Sequence, residues 1–183
     1  MIQIHNLTVR FGQKTVFDSF CIDLPDNGII LITGESGIGK TTLLRVIAGT
    51  LKPEYGHING LSQRKISMVY QETRLLPWMT AIENVKLVSD ENTAKQLLTE
   101  LGMEKEADLP IIKLSGGQQQ RVAIARAFAH GRDIVLLDEP FNGLDEDNRL
   151  KVVKLIKTAN LSIVVSHHYE DELILCPDKK IVL

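Results

Sequence analysis

The stretch GIILITGESGIGKTT, residues 28–42, constrains this chain more than any other. Ile29–Ile32 is a continuous apolar run closing on Gly34, the pattern of a strand buried on both faces. Residues 40–48 then read as a helix stopped by Gly49. Between them, G-x-x-x-x-G-K-[ST] is filled at each fixed position by Gly34, Gly39, Lys40 and Thr41. Glycines at 34, 37 and 39 let successive backbone N–H groups converge on phosphate oxygens, and the helix N-terminus adds partial positive charge. A glycine-rich turn with a surface lysine is the bland alternative; strand and helix on either side argue against it. The loop residues Gly34, Glu35, Ser36, Gly37, Ile38, Gly39, Lys40, Thr41 and Thr42 form the expected phosphate-binding set. In it Lys40 reaches the terminal phosphates and Thr41 ligates a Mg²⁺ ion.

Such a cradle needs an acid at the end of a neighbouring strand. IVLLDE, residues 134–139, supplies Asp138 and Glu139 at the C-terminal edge of a buried strand, where open α/β sheets place their ligands. Asp138 is expected on the metal and Glu139 on the attacking water. An acidic loop after a strand is common, so the pair gains its meaning from the loop at 34–42.

A second phosphate cradle is harder to explain. In LSGGQQQR, residues 114–121, Ser115 is a good N-cap, and Gly116 and Gly117 leave the first-turn amides uncovered. A plainly capped helix is the alternative for so short a string.

The rest of the chain frames these motifs. Residues 2–9 and 20–24 read as strands, the second with one solvated face; 66–70 and 162–166 also read as strands. Helices are expected over 90–102, capped by Asp90, over 115–131, and over 146–159 with Leu150, Val153 and Ile156 on one face. Buried strands alternating with helices predict an α/β fold of the P-loop NTPase type. It has a largely parallel sheet core, an N-terminal antiparallel β portion and a compact α-helical lobe. The 183 residues suit a single domain, with a core of about 1–75 and 132–183 and the lobe over about 76–131. A net charge of −2 gives no electrostatic case for nucleic acid. Cys21 and Cys176 lie far apart in no metal-type spacing and read as reduced thiols. No apolar run reaches bilayer length, and the N-terminus lacks the pattern of a secretory signal.

LSGGQQQR between a P-loop and a D-E-P strand resembles the signature of ATP-binding cassette (ABC) ATPases, and the resemblance extends along nearly the whole chain. It implies that two subunits pack head to tail. Ser115, Gly116, Gly117 and Gln118 of each then cap the γ-phosphate of the ATP held by the other, which accounts for two cradles in one chain. It also implies adenine stacking for Phe11, whose other reading is a core aromatic. Gln71 is implied to sense Mg²⁺ and water. Asp145, in Asn142-Gly143-Leu144-Asp145, is implied to contact the opposite subunit, its other reading being an N-cap. His167 is implied to hydrogen-bond the γ-phosphate, its other reading being structural.

The implied catalytic set is therefore Glu139, His167, Lys40 and Gln71, with Thr41, Gln71 and Asp138 on the metal. Departures from the family pattern are His168 where an acid usually follows the histidine, a short 56–66 loop, compact spacing from Gly34 to Leu114, and little chain after His167 for a regulatory domain.

Residues 71–87, QETRLLPWMTAIENVKL, are similar in wording to bacterial importers of the nitrate, sulfonate and taurine type. This implies an ATP-hydrolysing subunit of a membrane transporter, dimeric with a copy or a paralogue. Its partners would be integral permease subunits and a substrate-binding protein, and its place the cytoplasmic side of the membrane. Trp78 reads either as an interface anchor or as lobe packing. The rival readings are an exporter ATPase, a soluble mechanical switch of the same family, and a non-hydrolysing regulatory subunit. Glu139 argues against the last of these.

Overall fold

The computed structural model describes residues 1–131, 133–166 and 168–183. Two sheets organise it. Strands β1 (Ile2–Phe11), β2 (Lys14–Leu24) and β4 (Tyr55–Asn59) pair antiparallel in the order β2-β1-β4. Strands β3 (Gly28–Thr33), β5 (Ile66–Val69), β6 (Ile134–Asp138), β7 (Leu161–Val165) and β8 (Lys179–Val182) form a parallel sheet in the order β5-β6-β7-β3-β8. The fold is thus the expected α/β arrangement with a parallel core and an N-terminal antiparallel portion.

Strand periodicity explains how the layers meet, because alternate side chains of a strand point to opposite faces. Ile30, Ile32, Leu136, Ile163 and Val165 point to one face. There they pack with Leu43, Leu44 and Ile47 of α1 (Lys40–Ile47) and with Ile2, Ile4 and Leu7 of the antiparallel sheet. Leu31, Val135, Leu137 and Val164 point to the other face and join a second cluster. That cluster includes side chains from α2 (Ala81–Lys86), α3 (Glu91–Glu100), α4 (Gly116–Ala129) and α5 (Glu146–Ile156). Every residue of β6 and β7 is buried, as the unbroken apolar runs require. Each buried Leu or Ile stabilises by about 1.5–3 kcal/mol, so the continuous cluster fixes the helices onto the sheet.

Several short elements escape the sequence reading, among them β4, β8, two helices and a 3-10 turn at Ile111–Lys113. In β4 the nearest to a core contact is the half-buried Ile58, and in β8 it is Ile181, so neither carries a periodic apolar signal. Helix α2 and α6 (Tyr169–Leu175) are short. Helix α2 is set by a capping box in which the Thr80 hydroxyl accepts from the Glu83 N–H and the Glu83 carboxylate accepts from the Thr80 N–H.

Two expectations are corrected. The strand carrying the acids is not the hydrogen-bonded neighbour of the P-loop strand, since β7 lies between β6 and β3. Strand order is a tertiary choice, and apolar runs of similar composition do not reveal it. On α5 the buried positions are Val152, Val153, Leu155 and Ile156, while Leu150 is 44% exposed.

Candidate active site

The P-loop follows β3 and ends at the first turn of α1. Gly39 shows why its sequence is constrained. Its φ is 122°, and a Cβ there would lie 2.6 Å from Val16 Cγ1 and 2.9 Å from the Phe17 ring. Strand β2 therefore presses on the loop, and only glycine fits. Lys40 is 4% exposed, and its Nζ donates to the carbonyls of Gly34 and Glu35, both at 2.8 Å. Burial lowers the pKa of this amine, an effect opposed by the charges of Glu139 and Asp138.

Above the loop lies a cleft of about 330 Å³. Its walls bring together Phe11, Ser36, Gly37, Gly39, Lys40, Thr41, Thr42, Gln71, Asp138 and Glu139, drawn from separate parts of the chain. Phe11 is 47% exposed, which removes its core alternative. Gly34, Glu35 and Ile38 belong to the loop but not to the cleft wall. Asp138 and Glu139 are buried at the end of β6. Glu139 has φ of 52°, uncommon for a side-chain-bearing residue, and its N–H donates to Val165 O at 3.0 Å. Gln71 is followed by a tethered turn in which Arg126 of α4 donates to the carbonyls of Thr73 and Arg74 at 3.2 and 3.0 Å.

Lys14 and Val16 also line the cleft, and sequence reasoning missed them. The signal was the Gly12 turn: it pairs Phe11 with Lys14 across the β1–β2 hairpin and so brings Lys14 beside the aromatic. His167 lies outside the described residues.

The second cradle sits elsewhere. Ser115, Gly116, Gly117, Gln118 and Asp145 are not among the residues lining the cleft. Ser115 caps α4, its hydroxyl accepting from the Gln118 N–H at 3.3 Å while Gln118 Oε1 accepts from the Ser115 N–H at 2.9 Å. Asp145 caps α5 by accepting from the Asn148 N–H at 2.9 Å. The two caps touch: a Cβ on Gly117 would lie 2.4 Å from Gly143 O. A further surface lies at the edge of the helical part. Residues 77–80 run against 110–112 through Ile111 N–H to Met79 O and Ile112 N–H to Pro77 O, at 3.0 and 3.3 Å. Trp78 and Ile112 are 74% and 76% exposed, so Trp78 is not lobe packing.

A family model described as ABC transporter matches residues 17–142, more than half of the chain. The chain belongs to the ABC transporter family. As an ABC protein of this kind it binds ATP and is an ATPase. Among similar ABC relatives is the aliphatic sulfonates import ATP-binding protein SsuB of Granulibacter bethesdensis. It is 36% identical over 191 residues, spanning 100% of this chain and 79% of the relative. SsuB 3 of Paraburkholderia xenovorans is 41% identical over 172 residues, spanning 91% and 67%. Among solved ABC structures, the dimeric post-hydrolysis state of the ATP-binding cassette MJ0796 bound to ADP and Pi superposes with a TM-score of 0.88. Its identity is 28%, and the match covers 100% of this chain and 94% of that one. Among the described residues, no helix is long and apolar enough to cross a membrane.

Proposed function

We propose that this chain is the ATP-hydrolysing subunit of a membrane importer for sulfonate-type organic anions, working as a head-to-tail pair at the cytoplasmic face. One observation carries the reading. A single cleft gathers Lys40, Thr41, Gln71, Asp138 and Glu139, whereas Ser115–Gln118 stand outside it, as a cradle meant for another subunit's nucleotide would.

Phe11 stacks on the adenine of ATP, and the amides of the P-loop cradle its phosphates. Lys40 exchanges its two carbonyl partners for phosphate oxygens, whose negative charge favours the ammonium form that burial disfavours. Thr41, Gln71 and Asp138 offer hydroxyl, amide and carboxylate oxygens in one wall, the all-oxygen set that Mg²⁺ prefers. Bound there, Mg²⁺ would supply charge neutralisation at the phosphate oxygens. Glu139 orients and deprotonates water for in-line attack on the γ-phosphorus, the bond to the β-γ bridging oxygen breaks, and ADP and phosphate leave. His167 hydrogen-bonds the γ-phosphate. The partner's Ser115 hydroxyl and first-turn amides donate to the same phosphate, so ATP joins the subunits and hydrolysis releases them.

Permease subunits dock through an amphipathic helix on the exposed Trp78–Ile112 patch, and a substrate-binding protein delivers the solute. The sulfonate assignment comes from the relatives' names. The test is ATP-driven uptake of a labelled alkanesulfonate by vesicles holding this chain and its copurifying permease. Accumulation inside, dependent on Glu139, is expected. Outward transport, or uptake unaffected by Glu139→Gln, would overturn the reading.

A further inference from the structure

Glu139 holds an uncommon backbone conformation, and something must keep it there. The turn after it folds on itself: the Asn142 N–H donates to Glu139 O at 3.3 Å and the Leu144 N–H to Phe141 O at 3.2 Å. Two contacts tie the turn to its surroundings near Glu139 and Leu144. One is the Glu139 N–H on Val165 O. The other is Arg149, in the first turns of α5, whose Nε donates back to Leu144 O at 3.2 Å.

Arg149 also reaches across to a buried acid. Its Nη1 lies 3.6 Å from Oδ1 of Asp171, a carboxylate side chain with 2% exposure on α6, and 3.3 Å from the solvent-exposed Glu170. Asp171 accepts a short hydrogen bond from the Ser166 hydroxyl, and Ser166 is fully buried. Ser166 directly follows Val165, and its Oγ accepts from the His168 N–H at 3.1 Å. Its own N–H donates to Ile32 O at the end of the P-loop strand. The contacts thus close a ring: Glu139, Val165–Ser166, Asp171, Arg149, Leu144 and back along the turn to Glu139. Neither Asp171 nor Arg149 lines the nucleotide cleft.

We infer that Arg149 is a positioning residue for Glu139, one that ties the Leu144 carbonyl to the buried Asp171–Ser166 pair and so holds the 139–144 turn against the end of β7. This deepens the proposed hydrolysis and rests on Glu139 being its base. The guanidinium is suited to the task because Nε donates to the Leu144 carbonyl while Nη1, hydrogen-bonded to Glu170, faces the Asp171 carboxylate at ion-pair distance. A lysine supplies the charge facing Asp171 but has no second nitrogen for the Leu144 carbonyl. Charge compensation and turn positioning therefore separate in Arg149→Lys.

The test compares the wild-type chain, Arg149→Met and Arg149→Lys, each with its permease. Steady-state ATP hydrolysis, melting temperature and amide exchange over residues 139–145 are measured. For Arg149→Lys, the melting temperature stays near wild type, kcat falls by about tenfold or more, KM for ATP stays within about twofold, and exchange at 139–145 rises. Arg149→Met shows the same kinetic split with a lower melting temperature, since Asp171 then loses its cation. Recovery of kcat in Arg149→Lys together with melting temperature would reduce Arg149 to a counter-charge and overturn the inference, as would unchanged exchange at 139–145. A wild-type complex without hydrolysis would count against the proposed function instead. The exchange comparison would still decide the ring.

Discussion

The molecule's two glycine-and-hydroxyl helix tips invite comparison. The tip at Gly39–Thr41 is enclosed by its own chain. Strand β2 presses on it, β6 presents Asp138 and Glu139 to it, and Phe11 and Gln71 complete a cleft. The tip at Ser115–Gly117 has none of these walls. Its serine side chain is engaged in its own capping box, and a Cβ on Gly116 would meet open space. Similar local chemistry thus lines a walled cleft in one place and an open face in the other. An open anion cradle needs a partner surface to exclude water before its donors gain strength.

Ways to break this comparison run from large effects to small. Glu139→Gln leaves ATP binding intact while turnover drops about 10²–10⁴-fold. The ATP-loaded variant should elute as a dimer on gel filtration, and a monomer at high concentration would contradict the shared-site reading. Lys40→Ala should weaken ATP binding by about 100-fold or more, read by equilibrium titration, because a charge-assisted partner of the phosphates is gone. Ser115→Arg should spare binding and cost about 10²-fold in hydrolysis. Loss of both together would mean that the second tip serves its own chain's nucleotide.

Smaller effects sharpen the contrast between neighbouring glycines. Gly117→Ala drives a methyl into Gly143 O and should destabilise by about 1–3 kcal/mol in denaturant unfolding. Gly116→Ala meets nothing and should be neutral or stabilising by up to about 1 kcal/mol. The least effect belongs to a site remote from both tips. Glu91, hydrogen-bonded to Lys95 and Lys86, has its pKa lowered to about 2 from 4.5. Its contribution is complete above pH 4.5 and lost as pH falls towards 2, so the gap in melting temperature between wild type and Glu91→Gln should close over that window.

Local order was readable wherever a segment's own chemistry decides it. Residues 29–32 announce a doubly buried strand, and β3 is one. Asp90 announces a cap, and its carboxylate accepts from the Thr93 N–H at 3.0 Å. What failed was whatever depends on a neighbour. Strands β4 and β8 are held by pairing to β1 and β3 with scarcely any buried side chain of their own, so no periodic pattern marks them. Leu150 fits an apolar helical face on paper, yet it is 44% exposed while α5 buries Val152, Val153, Leu155 and Ile156. Lys14 joins the cleft because a hairpin folds it beside Phe11.

The sequence alone determined the phosphate loop, the acids closing a buried strand, the second capped tip and the α/β class. Each of these is written in contiguous residues, where hydrogen-bond geometry and burial act within a few positions. Tertiary structure alone decided that β7 stands between β3 and β6, that Gly117 must clear Gly143, and that Arg149 joins Leu144 to Asp171. Those are contacts between distant segments, set by how packed layers fit together, and no local propensity encodes them.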